Sequence, residues 1–212
     1  MRHTESFRWT VRRAVVVVAA LLAWPVTGAA QLLDTETQTV TSTTQTLTGI
    51  ASAVQATVLG TTTTLASTGT LSDSTDAREN SQLTGNVPSL LTGEALHATT
   101  IGWPDQVASE ASLAALALSV GGTTIGADFV MAEATALLNA AGSGTSLVDN
   151  LSINGVPVSV SGVPNQIFYI PGGRVVINEQ ATSPGGMVVN ALHIIVDGVA
   201  DVVIGSATAG IQ

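Results

Sequence analysis

Closely spaced turn sequences divide the chain from Val87 onwards into short apolar runs, and this spacing restricts the fold more than any other feature. Val156, Val158 and Val160 alternate with proline or serine, a period of two that is typical of a strand. Several short strands at hairpin spacing predict an all-β domain, an antiparallel β-sandwich, over residues 87–212.

Turn sequences fix where the hairpins of this domain are expected. The predicted strands cover residues 151–153, 156–160, 166–170, 174–178, 187–196 and 199–207. Asn154-Gly155 predicts a type I′ turn, and Asp197-Gly198 predicts a two-residue loop of the same kind. The Ala and Leu content of residues 111–118 leaves a helix open there.

A threonine-rich segment precedes this domain, with 15 Thr and 4 Ser between residues 34 and 72. Apolar residues recur there every seven positions, at Leu33, Val40, Leu47 and Val54. The pattern leaves three alternatives: a weak amphipathic helix, a disordered stalk, or edge strands. Residues 73–86 are polar and predict a linker. We therefore expect residues 31–86 to form a helical or disordered extension and linker outside the sandwich.

The N-terminus has the layout of a secretory signal peptide. Four arginines between Arg2 and Arg13 precede an uncharged apolar run, Ala14 to Trp24, which is too short to span a bilayer. Small residues then lead to Ala30. The sequence predicts cleavage after residue 30 and export, by the Sec or the twin-arginine route.

The composition excludes several classes of protein. The chain has no Cys, so disulfide frameworks, thiol nucleophiles and Cys-ligated zinc are excluded. Without residues 1–30, two arginines face fourteen carboxylates, a net charge of −12, which argues against binding nucleic acid. We expect no membrane span in the mature chain. The absence of both Cys and Lys favours a bacterial source.

Few residues carry recognisable chemistry. His97 and His193 could form a metal site with Asp128 or Asp201, but neither histidine has a partner at ligand spacing. A similarity between residues 115–136 and 191–209 predicts two related hairpins, with Asp128 and Asp201 at equivalent positions and three extra residues in the turn of the first hairpin, around Gly122–Ile125. Glu179 has no second carboxylate nearby in sequence to support hydrolysis. Trp103-Pro104-Asp105 is interpreted as a buried corner. We therefore predict no catalytic, cofactor-binding or metal-binding residues.

Several runs resemble the bacterial choice-of-anchor P domain. They are residues 152–162, 164–166, 175–180, 190–193, 200–203 and 206–211. The likeness extends from about Gly93 to the end of the chain. It implies an extracellular bacterial domain of unestablished biochemical activity, found with differing surface anchors, for which the family offers no catalytic residues.

The expected function follows from export, composition and this resemblance together. We expect an exported bacterial extracellular or cell-surface domain, structural or adhesive, without catalytic activity or a cofactor, that contacts an unidentified extracellular partner. The alternative is a secreted carbohydrate- or metal-binding module centred on His97, His193 and their neighbours.

Overall fold

The computed structural model describes residues 45–212, and this part of the chain is built from strands joined by tight turns. The strands are β1 Leu47–Val58, β2 Thr61–Ser67, β3 Ala77–Val87, β4 Leu91–Trp103, β5 Gln106–Val120, β6 Thr123–Leu137, β7 Ser143–Asp149, β8 Ser152–Ile153, β9 Val156–Pro157, β10 Gln166–Ile170, β11 Gly173–Ser183, β12 Gly186–Val196 and β13 Ala200–Ile211. The predicted signal peptide and residues 31–44 lie outside the described residues.

Two antiparallel sheets pack face to face, which confirms the predicted β-sandwich. Sheet A has six strands in the order β10-β11-β12-β13-β1-β2. Sheet B has seven, in the order β3-β4-β5-β6-β8-β9, with β7 also paired to β6. The core between them consists of aliphatic side chains and alanines, such as Val54, Leu113, Val130, Leu192 and Ile204.

The threonine-rich segment forms part of the sandwich wherever it is described. Strand β1 lies inside sheet A, paired with β13 on one side and β2 on the other. Its pairing with β13 continues to the ends of the two strands, where Thr46 and Gln212 exchange backbone hydrogen bonds of 2.8 and 3.0 Å. The expectation of a helical or disordered extension is therefore wrong from Leu47 onwards. Threonine favours a strand because its branched β-carbon fits a pleated surface.

The predicted linker over residues 73–86 is also largely a strand. Strand β3 begins at Ala77 and pairs with β4 at the edge of sheet B, so only residues 68–76 lie between β2 and β3. The domain boundary at residue 87 is wrong for this reason. Polar residues predominate in β3 because an edge strand presents much of its length to water.

The long strands change their buried face near the middle. In β13 the buried positions are Ala200, Val202 and Ile204, and beyond Gly205 they are Ala207, Ala209 and Ile211. In β5 they are Val107, Ser109, Ala111 and Leu113, and beyond Ala115 they are Leu116, Leu118 and Val120. We call this change from odd to even positions, or the reverse, the phase switch.

Residues with left-handed backbone conformations accompany the phase switches. Gly205 has a φ of +63° and Ala115 a φ of +51°. In sheet A, Asn178 on β11 and Ala66 on β2 also have positive φ. These two residues and Gly205 lie in one row across the sheet, and the regular pairing skips this row in β12 and β1 as well. One left-handed residue in a strand turns the next side chain to the other face, as at a β-bulge. The switches therefore follow a line across the sheet.

The turns agree only partly with the sequence prediction. Asn154 and Gly155 both have positive φ and close the two-residue β8–β9 hairpin, which confirms a type I′ turn. The β12–β13 turn instead spans residues 197–199, and only Gly198 has positive φ, so a type I′ assignment is wrong there. Gly121-Gly122 and Leu59-Gly60 form two further two-residue turns with both φ values positive.

Two further strand predictions differ from the structure. Residues 111–118 belong to the long strand β5, not to a helix. The alternating run from Val156 pairs only through Val156–Pro157, and Val158 and Val160 then pack against the core outside any strand. Prolines at 157 and 164 limit the pairing because they lack the N–H group that a ladder requires.

Candidate functional site

A polar cluster occupies the outer face of sheet A where β11, β12 and β13 lie side by side. The His193 ring, on β12, lies between Glu179 of β11 and Asp201 of β13. Its Nδ1 is 2.8 Å from Glu179 Oε2, and its Nε2 is 3.0 Å from Asp201 Oδ1. One imidazole thus bridges carboxylates from the two neighbouring strands.

Two more side chains extend this arrangement across the face. Asn190 donates from Nδ2 to Glu179 Oε2 at 2.6 Å, and Ser206 Oγ donates to Asn190 Oδ1 at 2.8 Å. We call these five residues the His193 cluster. The His193 side chain is only 16% exposed, whereas Asp201 is 58% exposed. The cluster is therefore partly shielded at its centre and open to water at one end.

The geometry of the His193 cluster limits its chemistry. The two carboxylates bind opposite sides of one ring, so they do not converge on a point where a cation could contact both. No group of three or more His, Asp or Glu residues suited to a metal ion occurs within residues 45–212. Ser206 contacts Asn190 and not the imidazole, so the cluster lacks the pairing that activates a serine nucleophile.

Protonation decides how many of these hydrogen bonds the cluster can make. A neutral imidazole has one N–H donor and one acceptor nitrogen, whereas an imidazolium donates from both. Only the protonated ring therefore satisfies both carboxylates at once. The protonated form of His193 therefore links three adjacent strands through side chains, which is a structural role, whereas a neutral ring can donate to only one of the two carboxylates.

The other predicted candidates lie elsewhere and do not join this cluster. His97 is on β4 in sheet B, where its Nδ1 is 2.9 Å from Ser81 Oγ and 3.7 Å from Glu79 Oε1. Asp128, in the middle of β6, accepts a 2.7 Å hydrogen bond from Asn150. The structure therefore does not bring the two histidines together with Asp128 or Asp201.

Asp128 and Asp201 are also not equivalent in the two hairpins. Both hairpins exist, β5–β6 and β12–β13, one in each sheet. Asp201 lies next to its turn and pairs with Ile195, whereas Asp128 lies at the phase switch of β6, well beyond the turn. The extra residues of the first hairpin are in its strands, because its turn contains only Gly121 and Gly122.

Trp103, Pro104 and Asp105 form the exposed turn between β4 and β5, so the interpretation as a buried corner is wrong. The Trp103 side chain remains 40% exposed. The Pro104 carbonyl accepts a 2.8 Å hydrogen bond from Gln45 Nε2, and the Asp105 carbonyl accepts one from Leu138 N. Hydrogen bonds to the two carbonyls hold this turn, and the Trp103 indole is partly exposed to solvent.

A second polar group lies in the connection between β2 and β3. Asp76 Oδ2 accepts hydrogen bonds from the Ser72 N–H at 2.8 Å and from Arg78 Nε at 2.7 Å. The Ser72 backbone bond, followed by the Arg78 and Ser72 side chains, lowers the pKa of Asp76 to about 2. Hydrogen bonds from Thr75 likewise lower the pKa of Asp73. These contacts fix the conformation of the connection, and the charge of Arg78 is paired with that of Asp76.

A groove of about 610 Å³ lies on sheet B beside the β3–β4 turn. No charged residue lines it. Its polar side chains are Asn86, Ser89, Thr92, Ser119, Thr124 and Ser152, accompanied by apolar residues such as Leu118 and Ile125. Sequence reasoning missed this groove because its lining comes from five separate strands and two turns, none of which has a distinctive motif.

Comparisons with protein-family models, curated proteins and solved structures found no match to this chain. Within residues 45–212, no helix is long and apolar enough to cross a membrane.

Proposed function

We propose that this chain is an exported bacterial domain that works outside the cell or at its surface, in a structural or adhesive role and not as an enzyme. The predicted signal peptide and the resemblance to the choice-of-anchor P family support export and an extracellular setting. Membership of that family stays a prediction. The partner, if the role is adhesive, is an unidentified extracellular one.

The observation that carries a structural role is the bonding of His193 on both ring nitrogens. A catalytic imidazole needs one nitrogen free to exchange a proton with substrate. Here both nitrogens contact carboxylates from neighbouring strands, at 2.8 and 3.0 Å. The His193 imidazole is therefore used to join strands.

Fractionation of bacteria that produce the full chain with a C-terminal tag tests export. We expect the protein in the medium or the cell envelope, with Gln31 as its first residue on N-terminal sequencing. A variant with Arg12 and Arg13 changed to Lys separates the two export routes, because the twin-arginine route depends on that pair. Full-length protein in the cytoplasm, with Trp24 retained, would contradict the proposal.

Binding of the purified mature protein to whole cells and isolated envelopes tests the adhesive role. The matched control is the same protein after heat denaturation and removal of aggregates. Saturable binding by the folded protein alone supports adhesion. Binding to neither preparation leaves the structural role, and turnover of an ester, glycoside or peptide substrate that His193→Ala abolishes would contradict both.

The uncharged groove on sheet B favours carbohydrate as a second candidate ligand class. Sugars are neutral and carry many hydroxyl groups, which match a lining of Ser, Thr and Asn side chains. Ser119→Trp should fill the groove and abolish binding of a neutral oligosaccharide in calorimetry, whereas Ser81→Trp, on the edge strand β3 and absent from the groove lining, should not. The described residues offer no comparable support for a metal.

A further inference from the structure

Strand β10 forms one edge of sheet A and exposes three consecutive large side chains. Ile167 is 48% exposed, Phe168 40% and Tyr169 77%. The strand has no charged residue and no proline between Gln166 and Ile170. An apolar edge strand with free backbone groups is a ready template for another strand.

Two of the other edges are protected in ways typical of monomeric β-proteins. Strand β3 carries Arg78 and Glu79 near its start, and β9 is two residues long and contains Pro157. Strand β2, at the far edge of sheet A, is uncharged, but its run of four threonines presents polar side chains. Strand β7, which pairs only with β6, ends on Asp149 and consists mostly of small or polar residues. Strand β10 differs from these four in its three consecutive large exposed side chains, which single it out as an interaction surface.

The pairing of β10 with β11 shows which backbone groups remain available. Ile170 and Gly173 flank a two-residue turn, so they form a hydrogen-bonded pair, and pairing alternates from there. Gln166, Phe168 and Ile170 therefore direct their N–H and C=O groups towards β11. Ile167 and Tyr169 direct theirs away, and within residues 45–212 no hydrogen bond to those outward groups is found.

We propose that β10 binds β10 of a second copy of this chain, antiparallel, about a two-fold axis at Phe168. This register places Ile167 of each copy opposite Tyr169 of the other. The two outward-directed residues then meet as two hydrogen-bonded pairs, which make about four backbone hydrogen bonds. The edge is self-complementary in this register, as an isologous interface must be.

Electrostatics permit a second copy at this edge. Two mature chains of −12 repel each other in general. Strand β10 carries no charge, however, and its cross-strand neighbour Arg174 forms no ion pair within residues 45–212. Two copies of β10 therefore meet without a carboxylate of one facing a carboxylate of the other, and the two Arg174 side chains lie on the strands behind them.

The size of the contact sets its strength. A strand of five residues and its side chains bury less than the roughly 1,200 Å² typical of stable interfaces. We therefore expect a weak, concentration-dependent dimer, with a Kd of about 10 µM to 1 mM. This interface goes beyond the proposed extracellular role and does not depend on it.

Single-cysteine crosslinking tests the register directly, because the chain contains no cysteine. Phe168 faces its own copy in a non-hydrogen-bonded pair, where Cα atoms lie about 4.5 Å apart, within the range of a disulfide. Mature Phe168→Cys should therefore form a disulfide dimer under mild oxidation. Tyr169→Cys, one residue along, lies opposite Ile167 of the other copy and should crosslink at least tenfold more slowly.

Sedimentation of the mature protein without cysteines supplies the second measurement. The parent should shift from monomer to dimer with concentration. Tyr169→Lys, which adds a charge at the edge without removing a buried group, should weaken association at least tenfold, whereas Thr62→Lys on β2 should not. A parent that stays monomeric at about 1 mM, equal crosslinking at residues 168 and 169, or a Tyr169→Lys variant that dimerises like the parent would each overturn the proposal.

Discussion

Replacement of Gly205 by alanine probes the phase switch where the two sheets approach closely. Gly205 has a φ of +63°, a conformation that costs an L-residue with a side chain roughly 1–2 kcal/mol. A Cβ atom there would lie 3.3 Å from the Ala191 Cβ, and 3.5 Å from both the Ala111 oxygen and the Ala132 nitrogen. Ala111 and Ala132 belong to the facing sheet, so the new methyl group has little room to move away.

The expected loss of unfolding free energy combines these two effects. Crowding at 3.3 Å falls at the lower end of overpacking costs, about 1 kcal/mol. With the backbone cost, Gly205→Ala should destabilise by about 2–3 kcal/mol, or roughly 4–12 °C in Tm. Gly122→Ala is the matched control: its φ is +78°, but a Cβ there meets nothing within 4 Å. Only the backbone cost of about 1–2 kcal/mol remains for it.

Urea unfolding of the two variants and the parent, followed by circular dichroism, measures both changes. A loss at Gly205 equal to or smaller than that at Gly122 would refute the reasoning. It would mean that β13 accommodates an ordinary strand conformation at residue 205, and that the left-handed residue does not enforce the phase switch.

Three further predictions concern the boundary, the His193 cluster and the β2–β3 connection. The fragment 87–212 should give no cooperative melting transition, because it lacks β1 and the fully buried Val54; a cooperative transition would restore the boundary at residue 87. His193→Ala should lower the unfolding free energy in urea by about 1–3 kcal/mol, since it leaves Glu179 and Asp201 without their shared partner. An unchanged value would remove the structural role of the cluster. Asp76 has a pKa depressed from 3.8 to about 2, so its stabilisation is complete above pH 3.8 and is lost as the pH falls towards 2. The Tm of Asp76→Asn should therefore fall less than that of the parent over this range, and parallel curves would contradict the assignment.

The phase switch explains why parts of this fold escaped sequence analysis. Leu47 and Val54 are seven residues apart, a spacing that favours a helix. In the structure both contact the core from one strand, because β1 changes face between them. In a regular strand, two side chains an odd number of residues apart point to opposite faces of the sheet. The same effect in β5 concealed the period of two within residues 111–118.

Turn chemistry was predictable at the β8–β9 turn, which needs specific residues. Asn154-Gly155 tolerates positive φ at both positions, so its type I′ geometry was visible in the sequence. Gly121-Gly122 is the same kind of turn signal, but the internal similarity to residues 191–209 predicted a longer turn at this position. Sequence similarity located the two hairpins correctly and placed the extra residues in the wrong part of them.

The His193 cluster could not be read from spacing along the chain. Glu179 and Asp201 are fourteen and eight residues from His193 in sequence, distances without meaning for a helix or a metal motif. They meet because β11, β12 and β13 follow one another through tight turns in one sheet. Only the pairing register brings three side chains from three strands to one place.

The adjacency of β1 and β13 has a mechanical consequence. These strands run antiparallel from the Leu47–Ile211 pair to the Val58–Ala200 pair, with Thr46 and Gln212 bonded at one end. A pulling force between residues 46 and 212 acts across this ladder at its end. The hydrogen bonds then carry the load one after another, as in a zipper, and not together as in shear. The seam between β1 and β13 should open at low force and expose the interior. The domain should therefore resist a force applied elsewhere on its surface better than a force applied at residues 46 and 212.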